Sequence, residues 1–396
     1  MADNVSSIEE YRKQRKRKKR TKHVVIGLVI GLLVVTIVLL ALFLLRDGTF
    51  GGETDPELIV DTASIDNGIS ANGYPISVGG SNPLDIKKCG NSIFLLTKNS
   101  VIAFNQGGEQ THAGHHGYSK PMIAASSKRV LTYDQGGYQF RIDSNKNRIG
   151  AKKLTEKIVY GTVSDGGYVA IVTQTERYTI KLTVYDPSLD EVLTWNVSDQ
   201  VITGIDFNKN STACAVTTYS AEKGASHSKV YELGFKKSEA ERFQTVLPDC
   251  MALSVQYLSN GNISVVGDQK TFVLSESGEI KAEWEYLGTL SAFENESESG
   301  TILFLQDTGD VDNTIIWEID PDGIKSITGN TRNKVIDAYF DGNRLMILTD
   351  NQLLTFDREL TQSRTAPLSG VPMQVTGIGN AGYVLTAGKL EQIINS

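Results

Sequence analysis

A single hairpin pattern returns along most of this chain, and it constrains the fold more than any other feature. The stretch "VLSESGEIKAEW", from Val273 to Trp284, reads as a strand, a tight turn ending in glycine and a second strand. Variants of the same form are "FRIDSNKNRIG" from Phe140, "VYDPSLDEVLTW" from Val184, "WEIDPDGIKSI" from Trp317 and "LTFDRELTQS" from Leu354. A chain that repeats one unit is expected to build a repeat architecture.

Each hairpin belongs to a larger unit of four short strands. In one unit, "VITGIDF" from Val201 is followed by "TACAVTTY" from Thr212 and "SKVYELG" from Ser228, and most units then turn into a more polar fourth strand. Four short strands repeating about every 40 residues are typical of the blades of a β-propeller. A lone sheet leaves two apolar faces exposed, whereas blades packed face to face around an axis bury them.

The number of units and the two ends of the repeat predict a closed ring. Eight units can be counted, and the last one, "TGIGNAGYVLTAGKLEQIINS", has only three strands. The strand-like stretch "YPISVGG" (Tyr74 to Gly80) precedes the first complete unit. We therefore predict an all-β, eight-bladed β-propeller in which this stretch supplies the missing outer strand. Seven blades is the alternative if one unit is a decoration.

The N-terminal region contains a segment suited to lipid. Residues 24–45, "VVIGLVIGLLVVTIVLLALFLL", carry no charge, and as a helix they would span ~33 Å against a hydrocarbon core of roughly 30 Å. A cleavable signal peptide instead needs an apolar run of roughly 7–15 residues and a small-residue cleavage site. The sequence has neither, so we predict one N-terminal transmembrane α-helix that acts as a signal anchor.

The charges on either side of this helix predict its orientation. Nine Lys and Arg stand between Arg12 and Lys22, and a nearly neutral stretch follows the apolar run. Positive residues stay on the cytoplasmic side, so we predict a plasma-membrane protein with a cytoplasmic N-terminus and an extracellular C-terminal domain. Residues 46–396 carry 30 basic and 43 acidic residues, a net charge of −13, which disfavours nucleic acid as a partner.

These observations divide the chain into four parts. We predict a basic cytoplasmic tail over 1–23, the transmembrane helix over 24–45, a flexible linker over 46–73 and the extracytoplasmic propeller over 74–396. Gly, Asp, Thr, Ser and Asn dominate the linker, as in extended tethers.

The outer hairpins carry a resemblance to known propellers. The turns "YDPSLDEVLTW" and "LSESGEIKAEW" resemble the Asp-x-x-x-Gly…Trp hairpins of the quinoprotein-like (PQQ-like) propeller superfamily, although the turn glycine is missing after Asp186 and Asp357. With the spanning helix and the linker, residues 24–396 resemble a family of membrane-anchored propellers of Gram-positive bacteria, known as a domain of unknown function. The resemblance implies the fold rather than an activity.

Catalytic motifs are missing from the sequence. Quinone-dependent dehydrogenases of the resembled superfamily use a calcium-bound quinone, commonly beside an adjacent Cys–Cys pair, whereas Cys89, Cys214 and Cys250 are never adjacent. Neither a Gly-x-Ser-x-Gly elbow nor a His-Glu-x-x-His helix occurs. We therefore predict no enzyme activity, no catalytic residues and no cofactor, and we expect the cysteines to be small core residues.

Three local clusters offer alternatives that the pattern leaves open. "THAGHHG" places His112, His115 and His116 in the loop that leaves the first blade, where imidazoles could bind a metal if further ligands converged. "QDTGDVDNT" places Asp307, Asp310 and Asp312 on a hairpin loop, without the spacing of a calcium-binding EF-hand. Gly27-x-x-x-Gly31 permits close helix packing and therefore a homodimer. We predict a solvated loop, a polar turn and no metal site.

Two functions remain on this sequence. The first is a non-catalytic scaffold, held to the lipid bilayer by the spanning helix, that binds a protein or another component of the cell envelope. The alternative is an envelope enzyme or ligand sensor with a quinone, metal or sugar site at the axial mouth of the propeller.

Overall fold

The computed structural model describes residues 73–175, 180–222, 225–236, 241–358 and 361–394. Within these ranges all regular secondary structure is β-strand, arranged as eight antiparallel sheets of four strands each. The prediction of an all-β propeller with eight blades is confirmed, and the alternative of seven is wrong. The predicted tail, membrane helix and nearly all of the linker lie outside the described residues and stay predictions.

Blades 1 to 4 each use four consecutive strands, counted from the innermost outward. They are β2 (Pro83–Cys89), β3 (Ser92–Thr97), β4 (Ser100–Asn105) and β5 (Gln110–His115); β6 (Pro121–Ala125), β7 (Val130–Asp134), β8 (Gln139–Asp143) and β9 (Arg148–Lys153); β10 (Lys157–Val163), β11 (Val169–Gln174), β12 (Ile180–Tyr185) and β13 (Glu191–Val197); and β14 (Val201–Phe207), β15 (Ala213–Glu222), β16 (Ala225–Gly234) and β17 (Phe243–Pro248).

Blades 5 to 7 follow the same order, and blade 8 adds three strands to the first strand of the described chain. They are β18 (Ala252–Tyr257), β19 (Ile263–Gly267), β20 (Lys270–Leu274) and β21 (Ile280–Glu285); β22 (Gly288–Glu296), β23 (Gly300–Asp307), β24 (Thr314–Ile319) and β25 (Lys325–Thr331); β26 (Val335–Phe340), β27 (Leu345–Thr349), β28 (Gln352–Phe356) and β29 (Gln362–Pro367); and β30 (Pro372–Ile378), β31 (Ala381–Thr386), β32 (Lys389–Ile394) and β1 (Ile76–Ser77).

Blade 8 closes the ring by joining both ends of the propeller. Ile76 pairs with Leu390 and Ser77 with Lys389, so β1 is the fourth, outermost strand beside β32. The amide of Val78 donates a hydrogen bond of 2.9 Å to the carbonyl of Gly388. Ile76 and Leu390 are fully buried in a cluster that also holds residues of blade 1. The predicted closure by the stretch from Tyr74 is confirmed.

The core lies between the blades rather than within one of them. The second and third strands are apolar and buried on both faces, as in β3, where all six residues are buried. One cluster joins Leu182 and Val184 of blade 3 to Val216 and Leu233 of blade 4. Each large side chain buried in this way contributes roughly 1.5–3 kcal/mol. Every blade therefore depends on its neighbours.

The turns between third and fourth strands explain the repeated hairpin. Asp320 Oδ1 accepts hydrogen bonds from the amides of Asp322 (3.0 Å) and Ile324 (2.8 Å). Gly323 then adopts a φ of +86°, which glycine reaches without a steric penalty. After Asp186, where that glycine is missing, Leu189 occupies the left-handed region at a φ of +67°. Its partly buried side chain packs on the core that blade 3 shares with blade 2.

Some of these turns also accept hydrogen bonds from the blade before them. The indole Nε1 of Trp284, on the outer strand of blade 5, donates to the carbonyl of Gly323 in blade 6 at 2.9 Å. Thr245 of blade 4 donates in the same way to Gly278 of blade 5 at 2.5 Å. Trp195 and Trp284 lie on outer strands and Trp317 lies buried on a third strand, as the hairpin pattern predicts.

The closing strand provides a test of ring closure. Ile76→Ala removes a fully buried side chain and should lower the free energy of unfolding by about 2–4 kcal/mol. Ser77→Ala, at an exposed position of the same strand, should change it by less than about 0.5 kcal/mol. Denaturant titration followed by circular dichroism measures both, and equal losses would contradict the closure.

The bond between blades 5 and 6 provides a second test. Trp284→Phe removes the indole donor to Gly323 and should destabilise the propeller by about 1 kcal/mol, the usual net value of such a bond. Trp195→Phe is the matched control: its ring lies 4.8 Å from that of Tyr231, a contact that phenylalanine can keep. Thermal unfolding compares the two variants, and a larger loss for the control would disprove the role of the bond.

Candidate binding site at the axial mouth

The first strand of each blade lies next to the propeller axis. We call the end of the ring at which these innermost strands begin the mouth face. The opposite end, which carries the turns between third and fourth strands, is the turn face. The described chain starts at the turn face, because Gly73 packs so closely on Gly108 of the β4–β5 turn that a Cβ on Gly108 would lie 2.8 Å from it.

The innermost strands are irregular near the mouth face. In seven of the eight blades the pairing with the second strand shifts register there, so that one residue has no partner across the ladder; β6 is the exception. Such bulges bend a strand and re-aim a side chain. The unpaired residues are Leu84, Val159, Thr203, Leu253, Ser291, Ile336 and Met373.

Four of these bulge residues form an exposed apolar rim around the axis. Leu84, Val159, Leu253 and Ile336 are each between 37% and 42% exposed; we call these four residues the apolar rim. Further exposed apolar side chains stand on the same face in the loops, with Leu287 at 74% and Val371 at 71%.

The mouth face holds most of the exposed apolar surface. Among the described residues it carries ten of the fifteen exposed large apolar side chains, namely the rim residues and Tyr138, Val201, Met251, Leu287, Val311 and Val371. Concentration of apolar side chains on one face is a mark of an interaction site.

Charged side chains lie just inside the rim. Asp85 and Asp337 directly follow the rim residues on β2 and β26, and Glu294 lies three residues after the bulge of β22. Lys87 Nζ is 3.3 Å from Asp85 Oδ1 and also interacts electrostatically with Asp337 and Glu294. Three carboxyl groups from blades 1, 6 and 7 therefore share one ammonium group. We call these four residues the axial acidic cluster.

Burial disfavours the ionised form of these carboxyl groups. It raises the pKa of Glu294 to about 8, with a further contribution from the nearby charge of Asp337. Burial also raises the pKa values of Asp85 and Asp337. For Asp337 it outweighs the opposite effect of the Val375 amide, which donates to Asp337 Oδ2 at 2.8 Å. On β14, burial raises the pKa of Asp206 to about 6.

The three histidines predicted to share one loop are divided between a strand and a loop, and only the rings of His115 and His116 lie close together, stacked with centroids 6.4 Å apart. His112 and His115 lie on β5, and only His116 lies in the loop that follows it, so the prediction of one common loop is wrong. Residues three apart on a strand point to opposite sides. His112 Nε2 lies 2.8 Å from buried Asp143, whereas His115 is exposed. His116 is buried, which lowers its pKa to about 4, and its Nδ1 accepts the amide of Tyr118.

The pair formed by His112 and Asp143 belongs to a buried structural network. Arg141 donates from Nε to Asp143 Oδ2 at 2.7 Å and from Nη2 to Oδ1 at 2.6 Å. Burial alone would raise the pKa of Asp143, but the bonds from His112 and Arg141 outweigh it and hold the pKa below its usual value. The network joins blades 1 and 2.

The aspartates and the cysteines occupy the positions that the sequence predicts. Asp307 Oδ1 accepts the amide of Gly309 at 2.8 Å in a polar turn that also contains Asp310 and Asp312. Cys89, Cys214 and Cys250 are buried and unpaired. Burial raises the pKa of the Cys89 thiol to about 11 and that of Cys250 to about 12, which disfavours the reactive thiolate.

The described residues contain neither a metal-binding cluster nor a membrane-spanning helix. They contain no group of three or more His, Cys, Asp and Glu placed to hold a metal ion. In the same part of the chain, no helix has the length and apolar character needed to cross a membrane. Gly27 and Gly31, like the whole predicted membrane segment, lie outside it.

Comparison with known proteins gives the family. A family model described as a family of unknown function, DUF5711, matches residues 67–393. The chain belongs to this family. No curated protein matches the chain.

Several solved structures are similar to this one. BamB from Moraxella catarrhalis aligns with a TM-score of 0.52 and 8% identity, over 78% of this chain and 96% of that chain. Apo AztD from Citrobacter koseri gives 0.52 and 10%, over 74% and 88%. Sqt1 from Saccharomyces cerevisiae gives 0.57 and 10%, over 82% and 100%.

At such identities the likeness shows the fold alone. The predicted resemblance to a propeller family of unknown function is thereby confirmed. The membrane anchor and the origin in Gram-positive bacteria stay predictions.

The raised pKa of Glu294 predicts a dependence of stability on pH. A glutamate ionises near 4.5 in the unfolded chain and near 8 in this fold, so the native state holds the extra proton and loses stability as the pH rises between those values. Glu294→Gln removes that loss. At pH 9 the variant should be more stable than the natural protein by at least about 1 kcal/mol, with a smaller difference at pH 5. Thermal unfolding measures this, and an equal gain for the exposed Glu298→Gln would contradict it.

Proposed function

We propose that this protein is a single-pass, membrane-anchored, extracytoplasmic scaffold that binds a protein of the cell envelope through its mouth face. The observation that carries the proposal is the apolar rim, with the exposed loop residues around it. A soluble protein rarely leaves so many large apolar side chains on one face unless a partner covers them.

The propeller fold supports a binding role. Each rim residue stands on a strand that is paired with the rest of its blade, and neighbouring blades are joined by buried apolar clusters. The rim is therefore held at fixed positions before a partner arrives, which reduces the ordering cost of binding.

The position of the N-terminal connection also supports the proposal. The described chain enters the propeller beside Gly108, at the turn face, so the linker attaches at the end of the ring opposite the mouth face. The predicted linker, residues 46–73, has 28 residues; at ~3.3 Å per residue it reaches at most roughly 90 Å. The mouth face would therefore be accessible to a large envelope partner.

A non-catalytic role is consistent with the chemistry of the described side chains. The cysteines are buried with raised pKa values, and the buried carboxylate Asp143 is engaged by His112 and Arg141. Buried side chains with satisfied bonds of this kind stabilise a fold and are poorly accessible to a substrate.

Site-specific photocrosslinking in intact cells tests the scaffold. A benzophenone amino acid at position 253 or 336, on the rim, should yield the same crosslinked protein from both positions. The same probe at Ile327, an exposed apolar residue of the outer strand β25, is the matched control and should not yield it. Crosslinks of equal strength at Ile327, or none at either rim position, would disprove binding through the mouth face.

A further inference from the structure

We propose that the partner inserts a segment with a lysine or arginine at its tip, flanked by apolar residues, into the axial mouth. This inference rests on the proposed function and names the chemistry of the partner. Two neighbouring layers carry it: the apolar rim at the surface and the axial acidic cluster directly inside it.

The apolar rim indicates that the inserted segment of the partner carries apolar residues. Leu84, Leu253 and Ile336 come from blades 1, 5 and 7, so apolar contacts are available from several sides of the axis. Removing these contacts from water on binding stabilises the complex by roughly 25 cal/mol per Å² of apolar surface. A purely charged partner would leave these side chains without favourable contacts.

The axial acidic cluster indicates that the tip of the partner's segment is positively charged. Asp85, Glu294 and Asp337 face one ammonium, that of Lys87. Among the described residues no group hydrogen-bonds the Glu294 carboxyl group, and the charges of Asp337 and Lys87 act on it only at longer range. A cation that enters from the mouth favours the ionised form of Glu294 and gains its carboxylate as a partner, whereas an anion would be repelled.

The depth of the two layers matches one long basic side chain. Asp85 and Asp337 lie one residue beyond the rim, and Glu294 lies three residues beyond the bulge of its strand. At ~3.3 Å per residue these carboxyl groups stand about 3 to 10 Å inside the mouth. The four-carbon stem of lysine can cross the apolar layer while its ammonium group reaches the carboxylates.

The described residues fit a peptide better than two other occupants, a metal ion and an anionic lipid surface. A metal ion requires converging ligands, and no group of three or more suitable side chains is placed to hold one in this part of the chain. An anionic lipid surface would meet a domain whose net charge over residues 46–396 is −13, so its headgroups would be repelled.

Calorimetric titration of the full chain in detergent micelles tests the inference. The probe is a capped peptide in which one lysine is flanked by two leucines on each side, with Gly-Ser ends for solubility. Matched peptides carry norleucine or glutamate in place of the lysine. We expect the lysine peptide to bind at least about tenfold more tightly than the norleucine peptide, equivalent to 1.4 kcal/mol, and the glutamate peptide to bind most weakly.

Variants assign the two layers separately. Leu253→Ser with Ile336→Ser should weaken binding of the lysine and norleucine peptides alike, whereas Ile324→Ser with Ile327→Ser, exposed apolar residues away from the mouth, should change neither. Glu294→Gln should reduce the preference for lysine over norleucine. Circular dichroism and thermal unfolding establish that each variant is folded.

Several outcomes would overturn the inference. Equal binding of the lysine and norleucine peptides, or preference for glutamate, would exclude a cationic tip. Concentration-dependent self-association or binding to phosphatidylcholine–phosphatidylglycerol vesicles, lost in the Leu253/Ile336 double variant, would assign the rim to a second copy or to lipid instead. Because crosslinking at the rim tests the scaffold separately, a protein partner found there without a preference for lysine would reject only the present inference.

Discussion

Burial of apolar sheets between neighbouring blades is the interaction on which the rest of the structure depends. Strands such as β3 are buried on both faces, so no blade can shield its own core. The clusters therefore combine residues of adjacent blades, and the ring is stable only when it closes. Closure in turn fixes the eight innermost strands around one axis, which places side chains from distant parts of the sequence at a common mouth.

Much of the fold can be predicted because its signals are local. The apolar second and third strands and the polar turns at Asp186 and Asp320 are encoded within about ten residues each. Ring closure could also be predicted, since the last unit lacks a fourth strand and the stretch from Tyr74 is strand-like. The missing glycine after Asp186 did not change the turn, because Leu189 takes the left-handed conformation and packs on the neighbouring core.

The candidate site was missed for physical reasons. The rim arises from register shifts between strands. The local sequence around Leu84 or Ile336 does not distinguish a bulged residue from a paired one. The acidic cluster links Asp85 to Glu294 through Lys87, and only the closed ring brings these residues near one another. The histidine motif does not form one loop, because His112 and His115 belong to a regular strand. On β5, residues three apart face opposite sides.

The two-residue strand that closes blade 8 has a mechanical consequence. The outer strands of the other blades pair with their neighbours at five or six positions, whereas β1 pairs with β32 at two. Tension applied to the chain ahead of Gly73 is therefore borne by the contacts of Gly73 and Tyr74 with blades 1 and 8, and then by only the two pairs of Ile76 and Ser77. A sufficient pull would peel β1 away and open the ring at one seam, while the seven continuous blades keep their internal pairing.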